Sequence, residues 1–313
     1  MRLFLGIDTS NYTTSCAFFQ PETGCITQNK KLLPVKAGEL GLRQSDAVFH
    51  HVQQLPELFS GLREQNDGEI AAIGVSVRPR PVDGSYMPCF EVGRSAAETL
   101  GAALGVPVFP FSHQEGHIRA AMFGAGCAES LPDRFVAFHV SGGTTEALLV
   151  TRKKAGFDAE LIACSLDLKA GQAVDRVAGM LSLPFPGGAC LEKLALENTS
   201  KISVRPCIKG LNCCLSGIEN LCRKELDGGA EHSRVAAMCI EFIRASLQKM
   251  TEGILGQYGD LPLLYAGGVM SCSIIRKDFE KRFGAYFAPP EYSCDNAAGI
   301  ALLCHEAFSG GHS

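Results

Sequence analysis

His113 and His117 stand four residues apart in the run Phe-Ser-His-Gln-Glu-Gly-His-Ile, residues 111–118. On a helix, side chains at i and i+4 share one face, so two imidazoles can address a single point. A divalent ion needs that arrangement plus a third ligand from elsewhere in the chain. By spacing alone a plainer alternative stays open, in which one histidine starts the helix and the other lies on the surface. A second group of residues offers backbone N–H groups rather than ligands. Ala266-Gly267-Gly268-Val269 follows an apolar strand and precedes a helix, which permits close approach of a phosphate or ribose to a helix start. Ser141-Gly142-Gly143-Thr144-Thr145 repeats the combination on a hairpin tip, and Gly187-Gly188 adds a third glycine turn. Together they predict a nucleotide site. Asp175, in Gln172-Ala173-Val174-Asp175-Arg176, either accepts from ribose hydroxyls or is an exposed helix carboxylate beside Arg176.

The elements that must hold these groups follow from patterning. Residues 3–19 and 135–150 are each strand, Ser/Thr/Gly turn, strand, and so predict two hairpins with similar tips. Two such hairpins imply an internally duplicated α/β protein. Between them the pattern predicts a helix over 43–65, a strand over 70–77, an irregular Pro/Arg/Gly-rich loop over 78–90, a small-residue helix over 91–104 and a strand over 106–110. Further on it predicts helices near 171–182 and 233–255, a strand from 263, and a closing helix that starts near Asp295, with that carboxylate as its cap. The expected lobes are residues 1–110 and 111–313, with the final helix, about 295–308, returning to the first lobe.

Composition narrows the class. With 313 residues, 46% hydrophobic and 20% charged, the chain reads as an ordinary soluble globular protein with room for one large or two medium cores. It has no run near the ~20 apolar residues of a membrane span and no signal-peptide pattern, so a cytoplasmic location is expected. The 14 cysteines are scattered through apolar segments without a Cys-x-x-Cys pair, which speaks for buried thiols in a reducing compartment. A net charge of −4 gives no chain-wide footprint for nucleic acid, so any RNA contact needs a local patch or a partner.

Read in order, these motifs resemble the TsaD family (also called Gcp, sialoglycoprotein-endopeptidase-like) of the actin/Hsp70/sugar-kinase superfamily. The resemblance rests on Leu-Gly-Ile-Asp-Thr-Ser at 5–10, Val-Gly-Arg-Ser at 92–95, His-Gln-Glu-Gly-His at 113–117 and Val-Ser-Gly-Gly-Thr-Thr at 140–145. It continues through Phe-Pro-Gly-Gly at 185–188, Leu-Ser-Gly at 215–217, Ala-Gly-Gly-Val at 266–269 and Asp-Asn-Ala-Ala-Gly-Ile-Ala at 295–301. It implies a two-lobed ribonuclease H-like α/β fold with an interlobe nucleotide cleft. It also implies one divalent metal (iron, zinc or magnesium) on His113, His117 and Asp295. An adenine nucleotide or acyl-adenylate would lie against Ser141, Gly142, Gly143, Asp175, Gly188, Gly267 and Gly268. The implied reaction transfers a threonylcarbamoyl group from its adenylate to a tRNA adenosine beside the anticodon, with a TsaB-like protein partner, a homodimer, or both. A peptidase reading has little support, since no His-Glu-x-x-His motif pairs a metal with a general base.

The chain departs from the family where chemistry is expected. Tyr12 and Thr13 stand for an acidic pair, Arg78-Pro79-Arg80 for Gly-Pro-Gly, Thr144 and Glu146 for His and Gln, Cys272 for a nucleotide-contacting Asn, and Glu219 for a Lys. Arg78 and Arg80 add fixed donors suited to phosphate or carboxylate. The expected protein is therefore a divergent paralogue whose acyl donor or acceptor has changed. Two rival readings are a silent nucleotide-binding scaffold pairing through the helix at 91–104, and an enzyme that carbamoylates or phosphorylates a small anion.

Overall fold

The computed structural model describes residues 1–10, 12–34 and 42–310. In chain order, β1 (Arg2–Ser10), β2 (Thr13–Gln20) and β3 (Cys25–Leu32) lead to α1 (Gln44–Glu64), β4 (Glu69–Arg78), α2 (Phe90–Leu104), β5 (Val108–Ser112) and α3 (His113–Gly124). Next come β6 (Arg134–Val140), β7 (Thr145–Arg152), β8 (Phe157–Cys164), α4 (Ala170–Met180), α5 (Gly188–Leu196), β9 (Cys207–Lys209) and β10 (Asn212–Cys214). The chain continues with α6 (Gly217–Asp227), α7 (His232–Tyr258), β11 (Leu263–Ala266), α8 (Ser273–Phe283), β12 (Tyr286–Phe287) and α9 (Ala298–Gly310).

The first sheet has the order β3-β2-β1-β4-β5 and the other five-stranded sheet β12-β11-β6-β7-β8. Read from the meander, both run third, second, first, then two parallel strands, so the duplication expected from the two hairpins is present as one topology used twice. In both cases a third strand, β3 or β8, extends the hairpin to a meander. Among the described residues no helix is long and apolar enough to cross a membrane.

The chain divides into two compact units, one of residues 1–128, 151–159 and 291–313, the other of 129–150 and 160–290. The expected boundary at 110 falls elsewhere, because α3 belongs with the first unit. In that unit, Leu3, Leu5 and Ile7 of β1 pack with Leu55 and Leu62 of α1 and Ala97 of α2. On the opposite sheet face lies α9, where Phe4 meets the rings of His305 and Phe308. Gly6 makes this contact possible, since a Cβ there would come within 2.5 Å of the Ala301 nitrogen. Gly93, Ala97 and Gly101 of α2 are buried, and a Cβ on Gly93 would meet the Thr9 hydroxyl at 2.8 Å. These small residues, which suggested a partner surface, serve contact with the chain's own sheet.

The second unit is centred on Tyr265, fully buried between Phe138 and Phe287 at ring-centroid distances of 4.6 and 5.2 Å. Its hydroxyl and that of Thr251 are 2.6 Å apart, which satisfies both polar atoms inside an apolar core. α7 supplies Thr251 together with much of the surrounding apolar cluster.

Two boundaries differ from the sequence expectation. β5 begins at Val108 rather than 106, because Gly105 ends α2 in the left-handed region and Val106 N–H donates back to Gly101 O. The closing helix begins at Ala298, whose N–H donates to Asn296 Oδ1 at 3.0 Å. Asn296, not Asp295, is the cap, and this frees the Asp295 carboxylate.

Candidate metal centre

The helix bearing both histidines starts at a well-made cap. Glu115 N–H donates to Ser112 Oγ at 3.2 Å, and Glu115 Oε2 accepts from Ser112 N–H at 2.7 Å. This reciprocal pair satisfies two donors that a helix start leaves open. It also places His113 in the first turn, with His117 one turn further along. Their ring centroids lie 4.3 Å apart.

α9 brings the third group. Gly299, on its first turn, crosses α3 at Gly116, between the histidines; a Cβ on Gly299 would collide with Gly116 O. The segment just before α9 then sets Asp295 Oδ1 3.2 Å from His117 Nε2 and 3.5 Å from His113 Nε2. The three ligand atoms all lie within 4.8 Å of one another. The side chains are 20%, 15% and 31% exposed, so the trio is held by the protein on one side and open on the other.

Asp8 completes the arrangement, and reading the sequence missed it. It ends the apolar run of β1, is fully buried, and its Oδ1 lies 3.0 Å from His113 Nδ1 and is bonded to the Ser76 hydroxyl. A carboxylate on Nδ1 fixes a proton there and aims Nε2 at Asp295, the arrangement that orients metal-bound histidines. Its other oxygen, Oδ2, is buried without a hydrogen-bond partner among the described residues. A carboxylate closing an otherwise apolar strand was the available signal.

The electrostatics favour positive charge. Burial opposes protonation of His113, yet Asp8 and Asp295 outweigh it and push the imidazole up to about 10. Burial likewise works against ionisation of Asp295, but bonds from His113 and His117 hold its carboxyl well below the usual carboxylate range. Thr13, standing where the family has an acid, donates from Oγ1 to Asp295 Oδ2 at 3.3 Å. Two imidazoles and one carboxylate with an open face fit an ion such as iron or zinc better than magnesium, which prefers all-oxygen sites. Asp8→Asn should lower zinc affinity about 10- to 100-fold, read by competition with a chromophoric chelator. Unchanged affinity would remove Asp8 from any positioning role.

In the second unit the structure gathers the glycine turns. Gly267, at φ 102°, lies with its Cα against the Val140 backbone, and Gly171 at the start of α4 lies against Gly142, 2.5 Å from its nitrogen for a built Cβ. The tip itself is tied by Ser141 N–H donating to Thr144 O at 2.7 Å and Thr144 N–H donating to Ser141 Oγ at 3.1 Å. Asp175 Oδ1 accepts from Gly187 N–H at 2.9 Å, while Arg176 pairs with Glu219 at 2.8 Å. Asp175 is thus tied to the Gly187-Gly188 turn rather than to Arg176. A Cβ built on Gly142, Gly143, Gly188 or Gly268 meets nothing within 4 Å, so these backbones present open faces.

The altered positions differ in their surroundings. Tyr12 is 40% exposed, Arg80 is exposed, and Arg78 lines a pocket of the first unit. Cys272 packs on the core of the second unit, where burial raises its thiol pKa.

The profile of the family described as "TsaD: tRNA N6-adenosine threonylcarbamoyltransferase" matches residues 31–302. The chain belongs to the TsaD family. It is similar to the tRNA N6-adenosine threonylcarbamoyltransferase of Methanopyrus kandleri, at 30% identity over 91% of this chain and 83% of that one. The enzyme of the same name from Persephonella marina is 30% identical over 97% of this chain and 90% of its own. Among solved structures, HypF of T. kodakarensis aligns with a TM-score of 0.60 at 12% identity, covering 99% of this chain and 48% of that one, which bears on the fold alone. TsaD membership puts the chain among transferases of this type, and the neighbours' two-lobed α/β fold agrees with the duplicated sheets.

Proposed function

We propose that the protein is a metal-dependent transferase of the TsaD type, which moves a threonylcarbamoyl or related carbamoyl group from an adenylate to the tRNA adenosine next to the anticodon. The observation that carries this reading is the His113–His117–Asp295 trio with Asp8 behind it, in a chain of this family. A divalent ion, iron or zinc by donor set, would be held by those three residues and would supply Lewis acidity toward a phosphate or carbonyl oxygen. Asp8 keeps the His113 proton on Nδ1, away from that face. The open backbones at Gly142, Gly143, Gly188 and Gly268 suit the phosphates of an adenine nucleotide or acyl-adenylate, with Ser141 and Gly267 shaping the turns beside them and Asp175 bracing the 187–188 turn.

A small TsaB-like homologue, a second copy, or both would serve as partner. With a net charge of −4, tRNA would be held by a local patch or by that partner. The reducing compartment such chemistry uses is the cytoplasm. Thr13 on Asp295, together with Arg78-Pro79-Arg80 and Glu219 on Arg176, supports a divergent paralogue in which substrate contacts have shifted. Purified protein given threonylcarbamoyl-adenylate and unmodified tRNA should form the threonylcarbamoylated nucleoside and release AMP, and His113→Ala should do neither. Loss of the gene should lower that nucleoside in bulk tRNA. Normal levels in a strain without any other family member would overturn the tRNA assignment.

A further inference from the structure

Arg78 closes β4 where the pairing with β5 shifts register between Ser76 and Arg78. Such an irregularity re-aims a side chain out of the strand's alternation. The arginine lines a pocket of about 260 Å³ in the first unit, with Phe109, Phe111, Phe157, Glu115 and Lys153. Its Nε–H is buried and has no acceptor among the described residues. A buried donor left unpaired is costly, and a guanidinium doubly so, which points to an acceptor arriving from outside.

The other charges of the pocket are already engaged. Lys153 pairs with Asp158. Glu115 accepts from Ser112 at Oε2 and from Phe157 N–H at Oε1, 3.2 Å away. Among the described residues lining the pocket, Arg78 is thus the cation with a donor left unpaired, while the Glu115 carboxylate repels a second negative charge on any occupant. A planar carboxylate matches the paired Nη–H donors at the guanidinium's end with two parallel bonds, and a phosphate dianion would meet Glu115 repulsion. The three phenylalanine side chains then ask for an apolar body behind the anion.

We propose that this pocket binds a small monocarboxylate bearing an aromatic or branched apolar group, at a site separate from the His113–His117–Asp295 trio. The proposal rests on the first unit alone and stands or falls independently of the transferase reading. The two sites share one helix, because Glu115, which the occupant would face, caps the turn that carries His113.

Benzoate serves as the probe, titrated into the full-length protein by calorimetry and saturation-transfer NMR. Millimolar binding is expected, weakened about tenfold or more by Arg78→Met, with benzyl alcohol weaker by a similar factor and equimolar phosphate unable to displace benzoate. Ala155→Trp, on the exposed rim, should block benzoate while leaving Arg78 in place, so a poorly folded Arg78→Met does not decide the matter. Benzoate binding unaffected by Ala155→Trp, equal binding of the alcohol, or displacement by phosphate would each overturn the assignment, as would no binding up to about 50 mM.

Discussion

Asp295→Ala is expected to weaken zinc or iron(II) binding by more than about a hundredfold, a larger loss than Asp8→Asn because a ligand rather than its support is removed. Asp295 Oδ1 approaches both imidazoles, at 3.2 and 3.5 Å. Without it the remaining histidines hold an ion on two neutral nitrogens, with no charge to offset its desolvation. Asp295→Asn, which keeps an oxygen but not the charge, should fall between wild type and alanine. The measurement is chelator competition for zinc and anaerobic titration for iron(II), alongside a thermal melt to show that α9 remains docked. If Asp295→Ala bound zinc as tightly as the wild type, the trio would be an ion-pair cluster and not a metal centre.

Gly299→Ala should destabilise the first unit by about 3 kcal/mol or more, because overpacking a rigid backbone contact leaves nothing to yield. The added Cβ would collide with Gly116 O, would stand 2.7 Å from the carbon of that carbonyl and would lie 2.9 Å from Ala120 nitrogen. All three atoms belong to the backbone of α3, so no rotamer change relieves the contact. For a chain of this size the melting temperature should drop by roughly 5–10 °C. Metal affinity should fall with it, since pushing α9 away from α3 draws Asp295 from the histidines. Gly268→Ala is the matched control, as a Cβ there meets nothing within 4 Å and stability should be unchanged. A Gly299→Ala melt equal to that of the control would show that the helices separate at no cost.

The two substitutions probe different layers of one site. Sequence patterning exposed the outer layer well. The spacing of His113 and His117 places both on one helical face whatever surrounds them, because 3.6 residues per turn is a local property. Strand–turn–strand runs with matching tips likewise announced two hairpins, and the structure uses the same strand order in both sheets. The eight ordered motifs identified the family, and with it the role expected of Asp295.

Other features depended on packing. Whether Asp295 capped its helix or faced the histidines turned on Asn296, whose side chain reaches Ala298 N–H and takes the capping role. Asp8 stood in the 5–10 motif without an assigned role, and only the approach of α3 to the end of β1 makes it the partner of His113. The small residues of α2 read as a pairing surface, yet Gly93, Ala97 and Gly101 are buried against the chain's own sheet. Arg78 and Arg80, two residues apart, read as one anion-binding pair, yet a register shift sends Arg78 into its own pocket and Arg80 lies exposed.

Local periodicity, turn chemistry and ordered motifs thus determined which elements form, which family the chain joins and which helix presents two imidazoles. The tertiary structure alone decided that a buried carboxylate stands behind one of them and that a glycine–glycine crossing brings the Asp295 carboxylate to both. The reason is physical. Helix period and turn preference act between neighbours in the chain, whereas Asp8, His113 and Asp295 are brought together by backbone contacts between segments more than a hundred residues apart.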